Sequence, residues 1–262
     1  MSLVGQAAVL VAFPVLASAI GAIIAALRPP GPRIVSGVQH FAAGVVMAAL
    51  VGEIMPELRA EGHLDWTVAG FLAGTALVLG LGAYGRHTEA HASGELPPHQ
   101  PRFGSWRRQA VAAAGAKSLP IGMLGAVAVD LLLDGVLVGL GVRLGTTQGV
   151  ILTVALTLEI LFLGLSVVSE LHEGGLARTH AVLMTIGLGL TTAVGAIGAA
   201  LFLGDVSTSV LSFVLAFGAA ALLYLVVEEL LVEAHAERES VWLGAMFFLG
   251  FILIYVLASV EL

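Results

Sequence analysis

The chain has 262 residues, of which 58% are hydrophobic and 11% charged, with a formal net charge of −7. Soluble domains carry about 25% charged residues, so the composition excludes an ordinary soluble domain and favours a single polytopic helical membrane domain over 1–262. The apolar runs are continuous rather than alternating with period two, which argues against a β-barrel, and the absence of cysteine excludes disulfides and thiolate metal sites.

Eight runs are long enough to cross a bilayer, which needs about 20 apolar residues. They fall at 3–27, 34–57, 66–85, 118–142, 148–171, 180–203, 208–232 and 241–260. The first has no basic flank before it and is too long for a signal-peptide core, so it reads as a retained helix. The second carries His40 on its shallow inner part and ends VGEIMPEL. There Glu53 and Glu57 are one helical turn apart, with Pro56 between them bending the helix. Glu61 and Asp65 follow, and the group reads either as an acidic outer mouth that concentrates cations or as a solvated helix end.

The connection at about 86–117 begins RHTEAHASGELPPHQPRFGSWRRQ, whose Pro, Ser, Gly and charge content predicts a flexible cytoplasmic loop. Its His87, Glu89, His91 and His99 suit weak binding of a divalent ion, or simply a solvated linker.

The fourth run holds the most informative residues, Asp130 and Asp134, in LPIGMLGAVAVDLLLDGVLVGLGV. Residues i and i+4 stack on one helix face about 6 Å apart along the axis, so both aspartates can share one cation. Glu159 sits equally deep in the fifth run, and the two runs are expected to meet near the midplane. A carboxylate at the bilayer centre costs roughly 3 kcal/mol on insertion scales unless it is protonated, paired, hydrated or bound to a cation. No Lys or Arg lies at that depth, so a salt bridge has no partner there. A divalent cation is the favoured compensation, with protonated carboxyls hydrogen-bonded to backbone as the alternative. Oxygen ligands favour hard ions such as Mn²⁺, Mg²⁺ or Fe²⁺, although zinc also accepts carboxylates.

The fifth run ends SELHE, giving Glu170, His172 and Glu173, and the sixth contains Gly187-Leu188-Gly189, a small-residue packing stretch. The seventh ends LYLVVEELLVEAHAE, placing Glu229, Glu233 and His235 near the same surface as His172 and the shallow His40, with Glu228 merely adjacent to the group. Together these residues read as an inner exit for the ion, and singly as solvated or snorkelling helix ends. Arg28, Arg33, Arg86, Arg102, Arg107, Arg108, Lys117, Arg178 and Arg238 fall on one side, against Arg59 and Arg143 on the other. That bias puts both termini outside.

At HFAAGVVMAALVGEIMPEL (40–58), LAFGAAALLYLVVEELLVEAH (215–235) and WLGAMFFLGFILIYVL the chain resembles the ZIP family of divalent metal transporters, in particular its bacterial branch. The resemblance implies an all-α integral membrane fold of eight helices in a 3+2+3 bundle with related outer triplets, a homodimer, and a multi-pass place in the bacterial inner membrane. It also implies passage of a divalent cation (Zn, Mn, Fe or Cd) into the cytoplasm. The family's fourth-helix motif, His-Asn-x-Pro-Glu-Gly, reads here Asp130-Leu131-Leu132-Leu133-Asp134-Gly135. Position by position, Asp130 stands for the liganding His and Asp134 for the bridging Glu, while Leu131 and Leu133 replace Asn and Pro. The fifth-helix motif reads Glu159-Ile160-Leu161-Phe162-Leu163-Gly164, so only Glu159 keeps a ligand-capable group. Thr192 and Ala193 stand where the sixth helix often has Glu-Pro, and Val45 stands where the second sometimes has methionine. A binuclear site is thereby reduced to one all-carboxylate site.

The expected partners are a metal ion, the lipid bilayer and a second copy of the chain, with no nucleic acid. A non-transporting metal sensor and a proton-linked carrier are the rival readings. An intramembrane hydrolase is disfavoured, since two aspartates on one helix are poorly placed to flank a substrate and no nucleophile is evident.

Overall fold

A computed structural model describes residues 1–60, 63–93, 121–235 and 240–260, with the side chains of 84–93, 121, 122 and 233 outside that set. The described residues form eight long helices and no strand: α1 (Leu3–Leu27), α2 (Pro32–Ala60), α3 (Leu64–Ser93), α4 (Ile121–Leu144), α5 (Thr146–Glu173), α6 (Arg178–Phe202), α7 (208–234) and α8 (Val241–Ser259). Each contains a stretch long and apolar enough to cross a membrane. Large apolar side chains such as Phe13, Leu183, Val194, Phe248 and Tyr255 are exposed on the outside of the bundle, as a lipid-facing surface requires.

The helix starts follow local chemistry. Ser2 and Ser240 accept hydrogen bonds from the backbone N–H groups of Gly5 and Leu243, and Pro32 occupies the first turn of α2, where its missing N–H costs nothing. α3 runs on to Ser93, beyond the expected end at 85, because 86–93 holds helix formers such as Glu89, Ala90 and Ala92 and no proline. His87, Glu89 and His91 therefore stand on helical backbone rather than in a linker, their side chains lying outside the described set. The rest of the expected loop, His99 included, lies outside the described residues.

Two helices change register midway. In α2 a π-helical turn spans Leu50–Ile54, and the Met55 N–H donates to Leu50 O, five residues back. Pro56 just beyond it lacks the donor a regular turn would use. In α7 a π-helical turn spans Leu225–Leu230, where the Leu231 N–H donates to Val226 O and no proline is present.

Four helices close a ring: α4 packs on α6, α6 on α1, α1 on α5, and α5 back on α4. Outside it, α2 pairs with α8 and α3 with α7, while α2 leans on α5 and α7 on α4. The ring is held by reciprocal glycine contacts. A β-carbon on Gly135 of α4 would collide with Thr192 O of α6, and one on Gly195 with Leu132 O. The same relation joins Gly21 of α1 to Leu161 O of α5, and Gly164 to Ser18 O. The two sets correspond in sequence, since α1 reads SAIGAIIAAL over 18–27 and α6 reads TAVGAIGAAL over 192–201.

Gly145, alone between α4 and α5, has φ +157° and makes the turn that sends α5 back along α4. Beside it, the Arg143 guanidinium donates to Leu203 O at 2.6 Å and Val206 O at 2.8 Å, tying this end of the bundle to the α6–α7 connection. Buried apolar side chains fall mainly into two clusters. The larger, with Val46, Leu50, Ile54, Leu137, Leu140, Ile151, Leu156 and Leu215, occupies the end near Gly145. The other, with Met123, Val127, Leu131, Ile160, Val167 and Leu171, occupies the opposite end of the ring.

Candidate metal centre

The Gly145 turn sets the depth of the acids. At 1.5 Å per residue, Asp130 and Glu159 lie about 21–23 Å from it along their helices and Asp134 about 16 Å. All three therefore fall where the two apolar clusters meet. One ligand oxygen from each of Asp130, Asp134 and Glu159 lies within 4.8 Å of the other two. Asp134 is 2% exposed and Glu159 1%, while Asp130 is half-buried. Gly135, directly after Asp134, brings the α6 backbone against α4 at this level and helps exclude solvent from the aspartate.

The Oδ2 of Asp134 is buried and has no hydrogen-bond partner among the described residues. Two unit charges 4 Å apart repel by about 4 kcal/mol even at an effective dielectric of 20, so three bare carboxylates do not share this space without positive charge. Two oxygens across an ion bound at about 2.4 Å stand about 4.8 Å apart, so the observed spacing suits a single hard cation. The orphaned Asp134 oxygen and the all-oxygen donor set both fit such an ion.

Among the described residues two small cavities reach these acids, both on the side away from Gly145. One, of about 40 Å³, lies between α3, α4 and α7 and is lined by Asp130, Leu133, Val78, Tyr224 and Glu229. The other, of about 20 Å³, lies between α2, α5 and α7 and is lined by Glu159, Ser166, Gln39, Leu225 and Glu229. Glu229, expected at the exit, thus borders the centre through the π-helical turn of α7.

The remaining candidates are dispersed. Glu53 sits in the π-helical turn of α2 and Glu57 in the turn after it, both half-buried, at the end near Gly145. They do not join the triad among the described residues. At the opposite end the His40 and His235 rings lie 5.0 Å apart. His40 Nδ1 is 2.9 Å from Ser36 O, the Ser36 hydroxyl donates to Ala234 O at 2.6 Å, and His235 Nδ1 faces Leu231 O. His172 is not with them. Its Nδ1 lies 3.0 Å from Leu176 O, and its Nε2 accepts from Arg178 Nε at 3.2 Å, so both ring nitrogens are occupied at the α5–α6 connection. Glu233 belongs to the last turn of α7, its side chain outside the described set.

Gln39 carries no signal of its own in the sequence, whereas His40, shallow on the inner part of the second run, belongs with the residues expected at the inner exit. The signal for both was the second-helix start SGVQHF, where Ser36, Gln39 and His40 recur at helical spacing. The chain matches no protein-family model and no curated protein.

Proposed function

We propose that this protein is a ZIP-like carrier that moves a divalent metal ion across a membrane into the cytoplasm through the Asp130, Asp134 and Glu159 site. The observation that carries this reading is the buried triad itself, with an orphaned Asp134 oxygen and no basic residue at its depth. Buried charge inside a helical membrane bundle marks an ion or proton path in most cases. The matched α1 and α6 segments, and the equivalence of the α1–α5 and α6–α4 contacts, support a 3+2+3 bundle with related outer triplets. The basic residues favour both termini outside, which makes the cavity-bearing end the cytoplasmic one. In this reading the ion leaves towards Gln39, His40 and His235. A homodimer in the bacterial inner membrane follows from the resemblance alone.

The triad lies on α4 and α5, two members of the ring, whereas Glu229 and the residues of the route outward lie on the flanking helices. Alternating access then consists of the ring shifting against α2, α3, α7 and α8. Binding without flux is the second reading. It is favoured by α4 and α5 being unbroken through the site, with none of the prolines that bend the corresponding helices in the family the chain resembles.

Uptake into proteoliposomes of Mn²⁺, Fe²⁺, Zn²⁺ and Cd²⁺ tests the proposal. Saturable uptake that disappears in D130A/D134A is the expected result. Binding of these ions with no flux for any of them selects the second reading. Flux unaffected by the double substitution removes the site from the mechanism, and a pH-driven current indifferent to metal identifies a proton-linked carrier.

A further inference from the structure

The acid least explained by the sequence is Glu229. Its helix lies outside the ring that carries the triad, yet it lines both cavities beneath the site, one shared with Asp130 and the other with Glu159. The oxygens of Glu229 itself stand outside the cluster whose ligand atoms lie within 4.8 Å of one another. The backbone beneath Glu229 is the π-helical turn Leu225–Leu230, a distortion that occurs frequently at functional sites. No proline accounts for this turn, unlike its counterpart in α2.

Building on the metal-site reading above, we propose that Glu229 is a fourth ligand of the central site, supplied by α7 to a divalent cation held by Asp130, Asp134 and Glu159. The site is then not a property of α4 and α5 alone but spans the boundary between the ring and its flank. An acidic cluster alone would not define a site; the second observation is the orphaned Oδ2 of Asp134, a side chain 98% buried within that cluster. Four carboxylates and no nitrogen or sulfur donor define a hard-cation preference, for which Mn²⁺ is the natural probe.

The test measures Mn²⁺ binding to the purified full-length protein by calorimetric titration, together with the electron paramagnetic resonance spectrum of the bound ion. The variants are E229Q, which keeps shape and removes charge, E229D, which keeps charge and shortens reach, and E228Q, which removes a neighbouring charge from the same π-helical turn. Expected are a loss of affinity of at least about tenfold in E229Q, the scale on which even supporting residues of metal sites act, partial recovery in E229D, and an altered spectrum in both. E228Q is expected to match wild type. Thermal unfolding of the metal-free variants separates misfolding from lost ligation, and E229D keeps the question decidable should E229Q not fold. Wild-type affinity and spectrum in E229Q, with binding abolished in D134N, overturn the inference and leave the three-acid site standing. An equal loss in E228Q and E229Q reduces the effect to general charge and also overturns it. Absence of Mn²⁺, Zn²⁺ and Cd²⁺ binding in wild type removes the metal site altogether, and this inference with it.

Discussion

Asp134 is the residue on which structure and chemistry pull hardest against each other. It is buried among apolar helices, adjoined by two carboxylates, and has one oxygen without a hydrogen-bond partner among the described residues. A residue retained purely for folding would not be an acid here. Replacing it by asparagine keeps the shape and removes the repulsion, so metal-free D134N is expected to unfold at a temperature equal to or above wild type. Wild type, in contrast, gains stability with added metal, about 2.7 kcal/mol at 100 times the dissociation constant, and D134N gains none. Thermal unfolding in detergent with and without Mn²⁺ measures both effects. A large drop in the metal-free midpoint of D134N would instead assign the aspartate a structural role. This much was legible in the sequence, because i and i+4 on a helix leave little freedom and equal depth in adjacent runs follows from counting residues. The contribution of Glu229 was not, since its position depends on how α7 packs and on a π-helical turn that no local residue announces.

Among the elements, glycine decides which helices approach closely, and composition alone does not say which glycines matter. Gly187 faces open space although it belongs to the expected packing stretch, while Gly189 of the same stretch meets the Ser18 side chain. Gly135 and Gly195 each meet a backbone carbonyl that cannot rotate away. G135A is therefore expected to destabilise the bundle by the roughly 1–3 kcal/mol typical of overpacking, or more, and to disturb the neighbouring metal site. G187A is expected to be neutral or stabilising by up to about 1 kcal/mol, the helix-propensity difference. Denaturation of the two variants side by side checks the contrast, and equal effects would mean that α4 and α6 do not touch as described. The repeat between 18–27 and 192–201 was present in the sequence. Its significance lies in the packing of both segments on glycine-bearing partners, because small residues acquire meaning from what they face.

For the whole molecule, the eight spans and their apolar exterior were readable from hydropathy, and the end-to-end asymmetry was not. Near Gly145 the acids are capped by the larger apolar cluster, whereas both cavities lie on the other side. The chain contains no cysteine, so an introduced one reports its own surroundings. S166C, in the α2–α5–α7 cavity, is expected to react with a small thiol reagent faster than L156C in the apolar cluster, and Mn²⁺ is expected to slow only the former. Mass spectrometry of the labelled protein reads both rates. Faster labelling at 156 would place the accessible side at the opposite end of the bundle.

The cavities carry a further consequence through their size. At about 40 and 20 Å³ they accommodate only a few water molecules between them, each needing about 10–15 Å³ by this measure. An ion that passes between Asp134 and the cytoplasmic end by this route is stripped of most of its hydration shell while inside the bundle, and carboxylate oxygens must replace what it lost. Mg²⁺ gives up its waters reluctantly and usually keeps several when bound to protein. Charge and oxygen ligands alone would admit it, but dehydration refuses it. A large excess of Mg²⁺ is accordingly expected to leave bound Mn²⁺ in place, and Mg²⁺ that competes on equal terms would show that the ion is held in the protein still clothed in water.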